Sequence, residues 1–236
     1  GPFAVIDGGV ELGPENQVGP HTHLTGVTRI GRANVFHSGA VIGDAPQDLK
    51  YQGELTRLTI GDENVFREHV TVHRSTTADG ETAIGSNNFF MANSHIGHNC
   101  RLDDRIVIAN GALLGGHVIV EDNVFISGNC LAHQFVRIGK LALMQGGSAI
   151  SKDLPPYTIA RGDNGICGLN IIGLRRAQLT SQQRIELKRL YQLLFRSKRK
   201  LKDALAQASQ EYTSDTARVL LDFITESTRG VCADHG

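Results

Sequence analysis

Neither sign of charge is in excess in this chain. Its 24 Lys and Arg are matched by 24 Asp and Glu, so no global field draws it to nucleic acid or to an anionic membrane. Long apolar runs are missing too. No stretch approaches the ~20 apolar residues that cross a bilayer, and no signal-peptide pattern opens the chain. A soluble protein that keeps its N-terminus is expected, with no transmembrane segment. Cysteine is sparse: Cys100, Cys130, Cys167 and Cys232 form no CxxC pair. Burial in a reducing cytoplasm is therefore expected before disulfide or zinc use.

What the sequence has instead is a period of six. Apolar residues stand at Ile6, Leu12, Val18, Leu24, Ile30, Phe36 and Ile42, at Ile60, Phe66 and Val72, and then without a break from Ile84 through Ile96, Leu114 and Ala132 to Ile150. The next position is often Gly, and Asp or Asn follows within two or three residues, types that accept the left-handed backbone of a tight corner. The fifth position is small or β-branched, as at Val70, Ser94, Cys100, Ala112, Val118, Val124 and Cys130. In extended chain it shares a face with the next anchor, so both point inward. Six residues do not hold one face of a 3.6-residue helix, so a helical reading fails. The pattern predicts a parallel β-helix in which three hexads close one triangular coil of 18 residues. The general rule for crossovers would make it right-handed.

Two stretches lose the pattern and gain charge, residues 44–57 and 74–83. Long loops in compact domains usually carry function, and both are expected to project beside a site. The chain opens already in register at Gly1 with nothing to cover the first coil, so a further coil or so is expected before it. Pro155 and Pro156 cannot donate to a ladder and are expected to end a β-helix domain spanning 1–156. A linker, 157–179, and a helical domain, 180–236, should follow. Thr180 to Gln183 has capping-box spacing before an amphipathic run, and further helices are expected near 200–211 and 214–227.

Counted modulo 18 beyond Ile84, His98, His117 and His133 have remainders 8, 9 and 7, so they fall at one corner of three successive coils. His95 lies on the strand entering that corner. Gly116 stacks on His98 and Gly115 beneath His133, which keeps the space clear. Three readings are open: a chance gathering of polar corner residues, a zinc site with an open position, or one His acting as general base while the others hold a polar substrate.

Motifs in order along nearly the whole chain sharpen this. The run Ile42 to Tyr51 (IGDAPQDLKY), Thr71-Val-His-Arg74, Ser94-His-Ile-Gly-His98, Gly115-Gly-His117, Ala132-His-Gln-Phe135, Asp153-Leu-Pro-Pro-Tyr157 and Ser227-Thr-Arg-Gly230 resemble the UDP-N-acetylglucosamine O-acyltransferases that begin lipid A synthesis. The resemblance implies a left-handed β-helix and a homotrimer with sites between subunits. It implies transfer of an (R)-3-hydroxyacyl chain from acyl carrier protein to the sugar 3-hydroxyl without a cofactor or metal. By the same resemblance His98 is the general base and the Gly116 N–H the oxyanion donor. His73, His95, His117, His133, Gln134, Asp48 and Lys50 contact substrate, Asn170 and Arg176 hold the nucleotide, and Gly146 measures the acyl chain. None of the cysteines looks poised as a nucleophile. The patch Arg196, Lys198, Arg199, Lys200 and Lys202 suits the acidic carrier protein, or is simply a solvated helix end.

The sequence departs from the family in three places. Asn99 follows the base where the family usually has Asp; a carboxylate would stabilise the imidazolium, whereas an amide can only orient it. Ile172 and Ala177 stand where charged residues are common. An acyltransferase with an amine acceptor, such as a 3-amino sugar nucleotide or UDP-3-O-acylglucosamine, is the alternative reading. A non-catalytic β-helix scaffold is the alternative from another class.

Overall fold

The structure, a computed structural model, describes residues 1–234. Its hexads are two-residue strands joined by four-residue corners, as in Phe89–Phe90, His95–Ile96 and Arg101–Leu102. Every third strand pairs in parallel, giving walls of eight, seven and ten strands. Along the first wall His95 lies beside Leu113, Leu113 beside Leu131 and Leu131 beside Ala149. Each step is 18 residues and, at the usual strand spacing, ~4.8 Å.

The interior is filled as the hexad pattern requires. The anchors and fifth positions from Leu24 to Ile150 form one continuous buried core. Phe36, Phe66 and Phe90 stack through it with successive ring centroids 4.9 Å apart, within the favoured range for aromatic pairs. At one corner an asparagine ladder satisfies backbone N–H groups that the strands leave over. Asn16 Oδ1 accepts from Asn34 N, Asn34 Oδ1 from Asn64 N, Asn64 Oδ1 from Asn88 N and Asn88 Oδ1 from Ile106 N, at 2.7–3.0 Å. Buried amides left without partners would each oppose folding.

The corners differ from the sequence expectation in one respect. The residue in the left-handed region is the third after the anchor, as at Asn87, Asn93, Asn99 and His117. The glycine directly after the anchor serves another need, close stacking. A Cβ on Gly97 would come within 2.8 Å of Leu114 O on the next coil.

Ser94 is an imperfection in this core. It is 1 % exposed and its hydroxyl has no hydrogen-bond partner among the described residues, a state that costs roughly 1–3 kcal/mol. Ser94→Ala is expected to raise stability by about 1 kcal/mol, read as a higher urea midpoint. A lower midpoint would mean that the hydroxyl is satisfied after all.

Pro155 and Pro156 end the regular hexads, yet the chain keeps winding where a linker was expected. Thr158–Ala160 pairs in parallel with Leu143–Met144 and antiparallel with Gly165–Leu169. Proline is tolerated because it sits at a corner, where no ladder donor is needed. Four helices follow among the described residues: α1 (Ile171–Arg176), α2 (Ser181–Tyr191), α3 (Leu201–Glu211) and α4 (Asp215–Thr225). The helical tail expected after the column is therefore present, and all-β describes the column alone. α2 begins with the expected capping box on Thr180 and Gln183 and runs on as a π-helical turn, Gln192–Arg196. The tail folds back on the column. Its buried leucines and alanines share a second core with Leu141 and Tyr157, Arg137 lies 4.3 Å over the Phe223 ring, and Ala233–Asp234 adds a strand beside Gly165–Leu169.

Candidate active site

The corner between the first and second walls gathers the histidines. It is also where both irregular stretches leave the column. The first departs after Val41–Asp44 and rejoins at Arg57–Ile60, and the second departs after Thr71–His73 and rejoins at Glu81–Ile84. They emerge on the coils just before the one carrying His98. Gln47 of the first loop reaches a cavity of about 620 Å³ whose lining includes His73, His95, His98, Gly116, His133 and Gln134, and the second loop bonds to Asn99 next to His98.

His98 and His117 meet edge to face, ring centroids 5.3 Å apart, and Phe135 stacks on the far side of His117 at 4.4 Å. His73 and His95 meet the same way at 4.8 Å. His98 is 7 % exposed, and its Nδ1 lies 2.9 Å from Asn99 Oδ1. The ring lies against Gly116, where a Cβ would stand 2.3 Å from His98 Cε1, 2.5 Å from Nε2 and 2.9 Å from Nδ1. The corner leaves the Gly116 N–H without a hydrogen-bond partner among the described residues.

Three of the imidazoles, His73, His95 and His117, are pushed toward the neutral form by their surroundings. Burial, helped by His73 and His98, pushes His95 down to about 4, and Thr71 Oγ1 sits 2.8 Å from its Nδ1. Burial also lowers His73 and His117; the Asp44 and Asp48 carboxylates partly oppose this, Asp44 for His73 and Asp48 for His117. A neutral ring can accept a proton or a hydrogen bond from a hydroxyl, which an imidazolium cannot. The His95 shift has a consequence for folding. The unfolded chain takes up a proton near pH 6.5 that the folded chain refuses until about 4. Stability should therefore fall as pH drops through that interval and level off below it. Urea midpoints of the wild type and His95→Gln between about pH 7 and 4 should diverge, the wild type falling more steeply; parallel curves would refute the assignment.

The other residues singled out from the sequence fall in three places. Asp48 holds the first loop, accepting from Lys50 N at 2.9 Å, and the Lys50 side chain is in solvent. Asn170 and Arg176 line a different cavity, about 710 Å³, on the third wall with Phe125 and Leu143. There Asn170 caps α1, accepting from Gly173 N at 2.9 Å and donating to Leu141 O at 2.9 Å. Gly146 occupies the corner where the third wall turns into the first, with nothing closer than Gly128 O at 3.5 Å to a Cβ placed on it. Among the described residues no three His, Cys, Asp or Glu side chains converge as metal ligands do.

Sequence reasoning missed a strip of the cavity. Leu113 and Leu131 stand 42 % and 47 % exposed on the first wall above His95, with Ala149 next in line. Comparing outward positions 18 apart would have found them. Gln47, Ser151, Asp163 and Asn164 complete the lining and come from irregular segments with no period to betray them.

Residues 153–232 match the family described as UDP-N-acetylglucosamine O-acyltransferase, domain 2, and residues 81–116 match the bacterial transferase hexapeptide (six repeats). An acyl-(acyl-carrier-protein)–UDP-N-acetylglucosamine O-acyltransferase of Herminiimonas arsenicoxydans is 43% identical over 98% of this chain and 95% of its own length. One from Anaeromyxobacter sp. (strain K) is 45% identical over 98% of both. Among solved structures, the UDP-N-acetylglucosamine acyltransferase of Bacteroides fragilis superposes with a TM-score of 0.90 at 35% identity, covering 98% of each chain. That of Arabidopsis gives 0.85 at 32%, covering 98% of this chain and 99% of its own. The parallel walls and these neighbours fit a left-handed β-helix, against the right-handed rule for crossovers. That rule rests on a helix packing back onto its sheet, and these corners contain none. With relatives this similar over nearly its whole length, and with the histidine corner in place, the chain belongs to the UDP-N-acetylglucosamine O-acyltransferase family.

Proposed function

We propose that the protein transfers an (R)-3-hydroxyacyl chain from acyl carrier protein to the 3-hydroxyl of UDP-N-acetylglucosamine, the first step of lipid A synthesis. The packing of the His98 ring against Gly116, whose N–H has no partner among the described residues, beside an apolar strip carries this reading. His98 takes the proton of the sugar hydroxyl as its oxygen attacks the thioester carbonyl. The tetrahedral oxyanion accepts from the Gly116 N–H. Collapse expels the carrier thiolate, which recovers the proton from the imidazolium. His73, His95, His117, His133 and Gln134 orient the sugar, with Asp48 and Lys50 closing over it from the first loop.

The acyl chain runs along Leu113, Leu131 and Ala149. Gly146 borders that wall, and its glycine is required neither by a positive φ, which belongs to Gly147, nor by crowding. A site open to a longer chain is a sufficient reason for it. Asn170 and Arg176 face away from the histidines of their own chain, and a homotrimer packed wall to wall supplies them from a neighbour. For the carrier, Lys198, Lys200 and Lys202 are exposed, whereas Arg196 is held by Asp234 at 2.5 Å and Arg199 by Gln207. Four free cysteines suit the cytoplasm.

Mass spectrometry of the product from mixed hydroxyacyl donors, offered UDP-N-acetylglucosamine and its 3-amino analogue, tests the reading. An ester of the ordinary sugar is the expected product. An amide alone would transfer the protein to the amine-acceptor alternative that Asn99 first suggested, and no product at all would favour a scaffold.

A further inference from the structure

We infer that Thr76 and Ser75, on the second loop, are positioning residues that set the orientation of the Asn99 amide and through it the tautomer of His98. The inference rests on the proposed role of His98 as base. Asn99 Oδ1 lies 2.9 Å from His98 Nδ1, 3.1 Å from Thr76 N and 2.9 Å from Thr76 Oγ1. Its Nδ2 lies 2.6 Å from Ser75 Oγ and 3.3 Å from Thr77 Oγ1. A primary amide can turn over, exchanging oxygen and nitrogen. The hydroxyls around it accept either orientation, since each can donate or accept. The backbone N–H of Thr76 can only donate, so the atom facing it is the oxygen.

That choice propagates to the ring. Facing Oδ1, His98 Nδ1 must donate, so the proton sits on Nδ1 and the lone pair is left on Nε2. With the amide turned over, its NH₂ would confront Thr76 N–H donor to donor. His98 Nδ1 would then have to accept, the proton would move to Nε2, and the ring could not act as a base toward the cavity. Two orientations of one amide correspond to two tautomers, and a single main-chain N–H selects between them.

Ser75 reinforces the selection. It is fully buried, and its Oγ accepts from Thr77 N at 3.2 Å and lies 3.3 Å from Thr77 Oγ1; with its hydrogen given to Thr77 Oγ1 it meets Asn99 Nδ2 as an acceptor at 2.6 Å. Asn99 is anchored at its other end too, its own N–H donating to Thr82 Oγ1 at 2.8 Å. A carboxylate at this position would need none of this, because both its oxygens accept. An amide without such a clamp is hazardous: in serine proteases, exchanging the carboxylate beside the histidine for an amide holds the wrong tautomer and lowers turnover about 10⁴-fold. The second loop thus gives the active site what Asn99 alone lacks.

The test is a double-mutant cycle read by kinetics and by histidine ¹⁵N spectra of the full-length protein, with the His98 signals assigned by their loss in His98→Gln. Thr76→Pro, which removes both the N–H and the hydroxyl that face Asn99 Oδ1, is expected to lower kcat about 10- to 100-fold with KM little changed, and to bring in the Nε2-protonated tautomer. In an Asn99→Asp background the same substitution should cost less than about threefold. The carboxylate itself should favour the imidazolium, among the neighbouring His73, His95 and His117, and move the acid limb of the kcat/KM profile to higher pH. Ser75→Ala keeps every main-chain donor and guards against a Thr76→Pro loop that merely disorders. It should cost several-fold with Asn99 and nothing further with Asn99→Asp. Equal losses in both backgrounds, or a wild type already protonated on Nε2, would overturn the inference while His98 remained essential. Full activity in His98→Ala would instead remove the base assignment on which it rests.

Discussion

His98→Ala is expected to lower kcat about 10²- to 10⁴-fold, the usual contribution of a positioned general base, while leaving the column folded. The second half of that statement follows from where the side chain lies. His98 points out of the corner into the cavity, and the buried anchors on either side, Ile96 and Leu102, are untouched. The Gly116 N–H and the apolar strip survive the substitution, so the donor should still bind and KM should change little. Residual turnover should reflect oxyanion stabilisation alone, as when a base is removed from other acyl-transfer sites. Steady-state kinetics beside far-UV circular dichroism decide the matter. A folded variant with wild-type kcat would mean that another group removes the proton.

Gly116→Ala should be nearly as damaging, for a geometric reason. The new Cβ would stand 2.3 Å from His98 Cε1 and 2.5 Å from Nε2, far inside van der Waals contact. The ring has to swing aside or the corner has to shift, and either displaces base and oxyanion donor relative to each other. A misplacement of ~1 Å costs about 10²-fold, so kcat should fall by at least that much. Stability should respond differently from a nearby control. The clash at Gly116 is with a side chain that can move, whereas a Cβ on Gly97 would strike main chain of the next coil, Leu114 O at 2.8 Å. Gly116→Ala should therefore stay near the wild-type unfolding midpoint and Gly97→Ala should not. In a His98→Ala background Gly116→Ala should cost much less, since the crowded ring is gone and the two effects are not additive. Undiminished activity in the single variant would show that the ring and the glycine do not form one catalytic unit.

Much of this geometry was readable from spacing because the coil is periodic. Counting in eighteens placed His98, Gly116 and His133 at one corner, and the strands stack with that same register. The arithmetic works for any residue on a regular hexad and stops where regularity stops. Gln47 reaches the cavity from a loop, and Asp163 and Asn164 from a turn between antiparallel strands, so nothing local marked them. Asn170 also has a structural role that its motif did not show, its amide capping α1 and donating to Leu141 O. Such a role depends on a contact 29 residues away. The bonds from Thr76 and Ser75 to Asn99 were equally hidden, since they join a loop without period to one of the positions where the family pattern is broken.

The two loops also determine where this fold can accept insertions and deletions. Each leaves and rejoins the column with the first wall's strands still paired, Val41 with Thr71 and Thr71 with His95, and the register slips by one residue where the loops depart, Val72 facing Ile42 but His73 facing Asp44. Lengthening either therefore costs only loop-closure entropy, roughly 0.6 kcal/mol for each doubling. One residue added between Gly97 and Leu131 would instead exchange inward and outward side chains along every later strand of the wall. Length variation can thus reshape the rim of the pocket freely, while its floor is bound to whole turns of eighteen.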